Sequence, residues 1–189
     1  GPQPYPAALS PSARIAREVA ALRTLHDAGI LVPRVLAANP AAAVMLVEKL
    51  PGRSLVRVLA TQVTVSNRSK YGSQRRETTE PDGDGCKFRL IRTYRTALDR
   101  VHAAGLVLND AHPGNALVDG DDVALIDLEF AEPSRDPDRI AFDLAYAAQY
   151  FRRNERTVFL ARTDLRGLDR ELSGYAPLFA YEANRLRAA

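Results

Sequence analysis

LVLNDAHPGNALVDGDDVALIDLE, running from Leu106 to Glu129, is the stretch around which the polar chemistry of this chain is arranged. Asp110 and Asn115 flank a His-Pro-Gly turn, and Asp127 closes a short apolar run, Val123 to Ile126. A strand over Ala116 to Val118, a tight turn at Asp119-Gly120 and a second strand over the apolar run read as a hairpin. Such a hairpin returns Asn115 and Asp127 to the same end of the sheet. Three oxygen-bearing side chains then converge, one able to orient a hydroxyl and two able to hold a hard divalent cation.

Outward from that hairpin the chain is ordinary in bulk. Its 189 residues fit one domain, or two small lobes sharing a cleft. With 46% hydrophobic and 26% charged residues it has a soluble globular composition. A net charge of +3 is mild and does not by itself argue for nucleic acid. Most of the basic residues are arginines on expected helices, where they read as solvated faces. Cys86 is the single cysteine, which excludes an intrachain disulfide and suits a reducing compartment, so a cytoplasmic location is expected. No apolar run approaches the roughly 20 residues of a membrane helix. Gly1-Pro2 has the form of a protease-tag scar, and nothing beside it reads as a signal peptide.

Residues 1 to 9 are Pro-rich and expected to be irregular. Ser10-Pro11 starts a helix, with Ser as N-cap and Pro at the first helical position. Ile15, Val19, Leu22 and His26 follow helical spacing, and Gly29 stops it, so the helix spans Pro11 to Ala28. Glu18 on this helix either pairs with Arg14 or Arg17 or faces a cleft. Val32 to Leu36 and Ala43 to Leu50 read as paired strands around an Asn39-Pro40 turn. Pro51-Gly52 breaks the second strand, and a short helix covers Leu55 to Ala60. Residues 62 to 86 are polar, without apolar period, and read as a surface insertion. Its Arg68, Lys70, Arg75 and Arg76 lie around Tyr71, where a nucleic-acid or acidic partner is conceivable and a solvated loop is the plainer reading.

Phe88 to Ala104 reads as the second long helix, buried through Ile91, Tyr94, Leu98 and Val101 and ended by Gly105. His102 near its end reads as a packed or capping histidine. After Glu129 comes a linker, Phe130 to Asp138, and then a largely buried helix, Arg139 to Ala148. Asp143 lies inside that apolar run. It reads either as a solvent-facing acid or as a buried one; a buried acid needs partners, and the backbone of the Asp110 loop would supply them. Arg156 to Arg162 and Leu165 to Leu186 read as further amphipathic helices.

Asp110-Ala111-His112-Pro113-Gly114-Asn115, followed by Leu125-Ile126-Asp127-Leu128-Glu129, resembles the catalytic and metal-binding loops of the protein-kinase-like superfamily. Val47-Glu48-Lys49-Leu50 looks like the hinge that meets adenine, and Pro51 to Leu55 like the signature after it. Glu18 falls where the family's helix-αC glutamate lies, and Asp143 matches the acid of helix αF. The short gap after Asp127 and the pattern from Arg17 to Pro33 are similar to RIO-type kinases and to the small kinase of the tRNA-threonylcarbamoylation complex. The His-Pro-Gly-Asn turn and the Ile-Asp-Leu-Glu ending also resemble aminoglycoside phosphotransferases, lipopolysaccharide kinases and the kinase domains of lanthipeptide synthetases.

The resemblance implies an α+β, bilobal protein-kinase-like fold. Residues 1–50 would form a reduced N-terminal lobe, and residues 51–189 a mainly helical C-terminal lobe. It implies an ATP- and Mg²⁺-dependent phosphotransferase of the atypical serine/threonine-kinase kind, acting on a hydroxyl of a protein or a small molecule. A nucleotide-binding regulatory module working through protein partners, and a small-molecule kinase of the aminoglycoside-phosphotransferase type, are the alternatives. Asp110 and His112 would be catalytic. Glu18, Val47, Glu48, Leu50, Asn115 and Asp127 would bind the nucleotide, with Asn115 and Asp127 holding Mg²⁺. Three departures stand out. The His-x-Asp triplet reads Leu108-Asn109-Asp110, His112 stands where protein kinases carry a lysine, and no glycine-rich loop or β3 lysine precedes Glu18.

Overall fold

The computed structural model describes residues 9–60 and 83–161. Helix α1 spans Pro11–Asp27. Its start follows the sequence: the Ser10 side chain accepts from the Ala13 amide, and Pro11 needs no donor in the first turn. Its end is a Schellman turn. Gly29, at φ +68, donates to His26 O, and Ile30 donates to Leu25 O. The buried stripe is Val19, Ala21, Leu22 and Leu25. His26 departs from the expected stripe and is exposed. Leu25, one residue earlier, takes the core position because burying leucine is favourable by roughly 1.5–3 kcal/mol while an imidazole must keep polar partners.

Strand β1 is Val35–Asn39 and pairs antiparallel with β2, Val44–Val47, through a 3-10 turn at Pro40–Ala42. The pairing was expected, but both strands differ in extent. Val32 and Pro33 are buried in the turn off α1, so strand pairing starts only at Val35. Pro33 has no amide hydrogen to give to a ladder. β2 ends at Val47, where the Glu48 amide still donates to Arg34 O. β3 is the short Arg53–Ser54, and residues 55–60 are helical (α2).

Helix α3, Gly83–Ala103, begins before the expected Phe88 and takes in the last residues of the segment read as insertion. Residues 61–82, with the basic run around Tyr71, lie outside the described residues, as do 1–8 and the expected helix over Leu165 to Leu186. Ile91, Tyr94, Leu98 and Val101 are each at most 1% exposed, so the α3 stripe is as read. The chain then enters β4, Leu106–Val107, a 3-10 turn at Pro113–Asn115, and the hairpin β5, Ala116–Asp119, with β6, Asp122–Leu125. β5 stands between β3 and β6. Its turn residues are Gly120 and Asp121, one position later than expected, with Gly120 at φ +60 as a two-residue hairpin turn requires.

The segment read as a plain linker contains β7, Glu132–Pro133, paired with β4. A two-residue strand leaves no alternating pattern to read. α4, Pro137–Ala148, starts earlier than expected because Asp136 caps it. α5, Arg153–Leu160, is also displaced toward the N-terminus, with Glu155 accepting from the Arg152 amide.

One apolar core joins these elements. Leu22 and Leu25 of α1, Leu90, Ile91, Tyr94 and Leu98 of α3, Val118, Val123 and Leu125 of the hairpin, and Ala145 and Ala148 of α4 belong to it. Phe151 and Phe159 close it around Tyr94, at ring separations of 6.3 and 6.0 Å. α1 is therefore held by apolar burial. Its ion pairs, being partly exposed and individually worth about 1 kcal/mol or less, add little to that attachment.

Candidate active site

Asp143 organises the loop that carries Asp110. Its carboxylate, fully buried on α4, accepts the amides of Leu108 at 2.6 Å and Asn109 at 2.7 Å, and His102 Nε2 lies 3.1 Å away. The expected partners of this buried acid are thus the ones present, and His102 is a packed histidine. Asn109 adopts φ +60, a left-handed conformation that Asn tolerates better than most residues. Tyr94 Oη donates to Ala111 O at 2.9 Å, so α3 grips the same loop from below.

Asp110 and Asn115 meet. Asn115 Nδ2 donates to Asp110 Oδ2 at 3.1 Å across the 3-10 turn. His112 Nδ1 accepts the Gly114 amide at 2.8 Å. In a neutral ring this puts the proton on Nε2. The ring lies edge-on to Tyr150, with centroids 4.0 Å apart. Gly114 is required here because a Cβ on it would fall 2.4 Å from His112 Nδ1.

Asp127 follows β6 and sits at φ +58. The Ile126 amide donates to Asn115 O at 2.9 Å, which locks Asp127 beside Asn115 at the same end of the hairpin. Partial enclosure raises the Asp127 pKa above 3.8, and the charges of Glu129 and Asp110 raise it further. Glu18 accepts the Leu128 amide at 3.3 Å. The expected pairing of Glu18 with Arg14 or Arg17 is not the one present: Arg14 pairs with Glu129 at 3.2 Å and Arg17 with Glu132 at 3.4 Å. Burial raises the Glu18 pKa above 4.5, the Leu128 hydrogen bond opposes this, and Asp127 and Glu129 add to the rise. The loop after β6 is therefore a concentration of carboxylates whose mutual repulsion a cation would relieve. Among the described residues, no group of three His, Cys, Asp or Glu side chains could hold a metal ion on its own. A cation here would take the Asp127 carboxylate and the Asn115 amide oxygen, and fill its shell from solvent or a bound ligand.

Of the segment read as a hinge, Leu50 lies toward the turn end of the hairpin. Val47 pairs with Val35, and Glu48 and Lys49 are exposed. Leu50 lines a pocket of about 210 Å³ with Leu31, Pro51, Leu117, Asp119, Asp122 and Ala124. Leu117 and Ala124 are cross-strand partners one step along from the Ala116–Leu125 pair that adjoins Asn115 and Asp127. Gly52, at φ +109, lets the hinge pass over β5, since a Cβ there would lie 2.5 Å from Val118 O.

Sequence reading missed four contributors. Asn109 donates from Nδ2 to Phe130 O at 2.8 Å and accepts from Arg139 Nη2 at 2.7 Å. Arg139 also pairs with Glu132, and Glu129 lies among the carboxylates. The one available signal was Asn109 itself, a buried-type position holding a polar residue that favours left-handed backbone.

The model of the phosphotransferase enzyme family matches residues 67–178. Among solved structures, the chain is similar to WaaP in complex with acyl carrier protein. The TM-score is 0.59 at 20% identity, over 91% of this chain and 76% of that one. A likeness at that identity shows the fold, which is an α+β kinase-like fold as expected. Among curated proteins none matches.

Proposed function

We propose, from the premise that this chain belongs to the phosphotransferase enzyme family, that it transfers the γ-phosphoryl group of ATP, with Mg²⁺, to a hydroxyl-bearing acceptor. The observation that carries the reading is the 3.1 Å bond from Asn115 to Asp110 at the hairpin end that also bears Asp127. Phosphoryl transfer asks for positioning and charge neutralisation more than for covalent chemistry. The Asn115 amide hydrogen orients Asp110 and leaves its other carboxylate oxygen for the acceptor hydroxyl. As the acceptor oxygen bonds to phosphorus and the bond to the leaving ADP breaks, Asp110 takes the hydroxyl proton.

Asn115 Oδ1 and Asp127 fit Mg²⁺, which prefers few protein oxygens completed by phosphate and water. When bound, Mg²⁺ neutralises charge on the β- and γ-phosphates. His112 donates from Nε2 to a phosphate oxygen. The slot lined by Leu50, Leu117 and Ala124 takes the adenine, so that the nucleotide lies along the hairpin with its phosphates toward Asn115 and Asp127. Glu48 C=O and Leu50 N–H meet the edge of the base, with Val47 behind it. Glu18 steadies the metal loop through Leu128.

The matched family supports phosphotransfer, and the acceptor is either a small hydroxyl compound or a serine or threonine of a protein. The WaaP chain was solved with acyl carrier protein, so the decisive assay presents proteins, including that carrier, beside small hydroxyl compounds. Transfer of labelled γ-phosphate to one class identifies the acceptor. Mg²⁺-dependent ADP release that disappears in Asp127→Ala supports the mechanism. Nucleotide binding without turnover in the full native protein would overturn it in favour of a regulatory module.

A further inference from the structure

We propose that Asn109 and Arg139 are positioning residues for Asp110, and that a chain of charges, Arg17–Glu132–Arg139, carries the seating of α1 to them. The inference rests on the phosphotransfer reading for the role of Asp110 and on the geometry alone for the coupling. Asn109 is 1% exposed and shares its peptide bond with Asp110. Its backbone amide is held by Asp143, its Nδ2 by Phe130 O and its Oδ1 by Arg139. Those bonds come from α4 and from the loop that follows Asp127. They hold the residue at φ +60, which few non-glycine residues adopt unaided. If the side-chain bonds are lost, the peptide can relax toward ordinary backbone angles, and Asp110 turns with it.

Arg139 does not act alone. Its guanidinium pairs with Glu132 as well as with Asn109. Glu132 is also reached by Arg17 of α1, at 3.4 Å. Glu132 thus stands between two guanidinium groups, with Oε1 toward Arg139 and Oε2 toward Arg17. Glu132 lies on β7, paired with β4 just ahead of Asn109, so the charges and the strand pair converge on one loop. On the face of α1 turned to this loop, Glu18 meets the Leu128 amide, Arg14 meets Glu129, and Arg17 meets Glu132. α1 thus reports its position to the metal loop and, through Arg139, to the loop of Asp110.

The test uses the full chain with Arg139→Met, Arg139→Lys, Arg17→Met and, as control, Arg23→Met, which changes an exposed arginine of the same helix. Mg²⁺-dependent ADP release and amide exchange over residues 106–112 are both measured. Arg139→Met is expected to lower kcat by about ten- to a hundredfold, with the KM for ATP changed by less than about twofold. Arg139→Lys recovers part of the loss, since its ammonium keeps the charge and can donate to both groups but sits on a shorter side chain without the planar fork. Arg17→Met lowers kcat by roughly threefold or more and adds little on top of Arg139→Met. Exchange over 106–112 rises in the Arg139 and Arg17 variants and stays unchanged in Arg23→Met. An unchanged kcat in Arg139→Met, strict additivity of the Arg17 and Arg139 losses, or exchange that does not move would overturn the proposal. A native chain that does not turn over, yet shows the expected exchange pattern, overturns the phosphotransfer reading and with it the role of Asp110, while the coupling stands.

Discussion

The carboxylate of Asp143 accepts the Asn109 amide across 2.7 Å from a position with no solvent exposure. It simultaneously accepts from Leu108 and lies beside His102. Replacing it with alanine leaves buried donors unpaired. Asp143→Ala should cost on the order of 3–5 kcal/mol of folding stability. The urea midpoint of the transition measures this. A loss below about 1 kcal/mol, the worth of an ordinary single hydrogen bond, would show that the acid does not organise the loop.

Gly114→Ala tests the ring of His112. The added Cβ would meet Nδ1 at 2.4 Å, and Tyr150 packs the ring from another side. The imidazole must swing away from the proposed phosphate site. A fall in kcat of about tenfold or more is expected, with a stability change near 1 kcal/mol. His112→Ala should reproduce the kcat loss and be insensitive to a second change at Gly114. If Gly114→Ala is fully active, His112 does not touch the reacting phosphate.

The hinge has a comparable test at Gly52. Its φ of +109 and the 2.5 Å approach of a Cβ to Val118 O both oppose any side chain. Gly52→Ala should destabilise by on the order of 2 kcal/mol, from left-handed strain plus the shift of β5. Because Leu50 and Leu117 line the same slot, KM for ATP should rise more than kcat falls.

Acid–base linkage follows from Glu18. Its pKa is raised, first by burial and then by Asp127 and Glu129, against the opposing Leu128 bond. A carboxyl whose folded value is raised favours folding when protonated. That contribution is fully present below the ordinary value of 4.5 and is lost as pH rises through the raised one. Glu18→Gln should therefore match the native chain below that value and be the more stable of the two at neutral pH. Mg²⁺ should narrow the gap at neutral pH by screening Asp127. Thermal melts across pH 4–8, with and without Mg²⁺, read both effects; a native chain more stable than Glu18→Gln at pH 7 without Mg²⁺ would contradict this account.

Much of the fold is legible along the chain because its signals are local. Ser10-Pro11 and Gly29 bound α1 by capping chemistry, and the α3 stripe through Ile91, Tyr94 and Leu98 needs only helical periodicity. Asp110, Asn115 and Asp127 are legible for the same reason: a short hairpin brings its own ends together. The boundaries that differ have their own causes: Pro33 has no amide to give the β1 ladder, β7 is only two residues long, and Asp136 caps α4 early.

The remainder belongs to tertiary structure. Nothing in the order of residues says whether Arg14 and Arg17 turn to Glu18 or to Glu129 and Glu132, since all are compatible charges. α1 is seated by Leu22 and Leu25, and that apolar packing sets its rotation before any ion pair forms. The left-handed turn at Asn109 and its bonds to Phe130 and Arg139 likewise exist only once α4 and the metal loop have been brought against it. Local chemistry is enough to single out the candidate side chains. Their mutual orientation is set by contacts between segments far apart in the chain, whose strength depends on burial that forms only in the folded state.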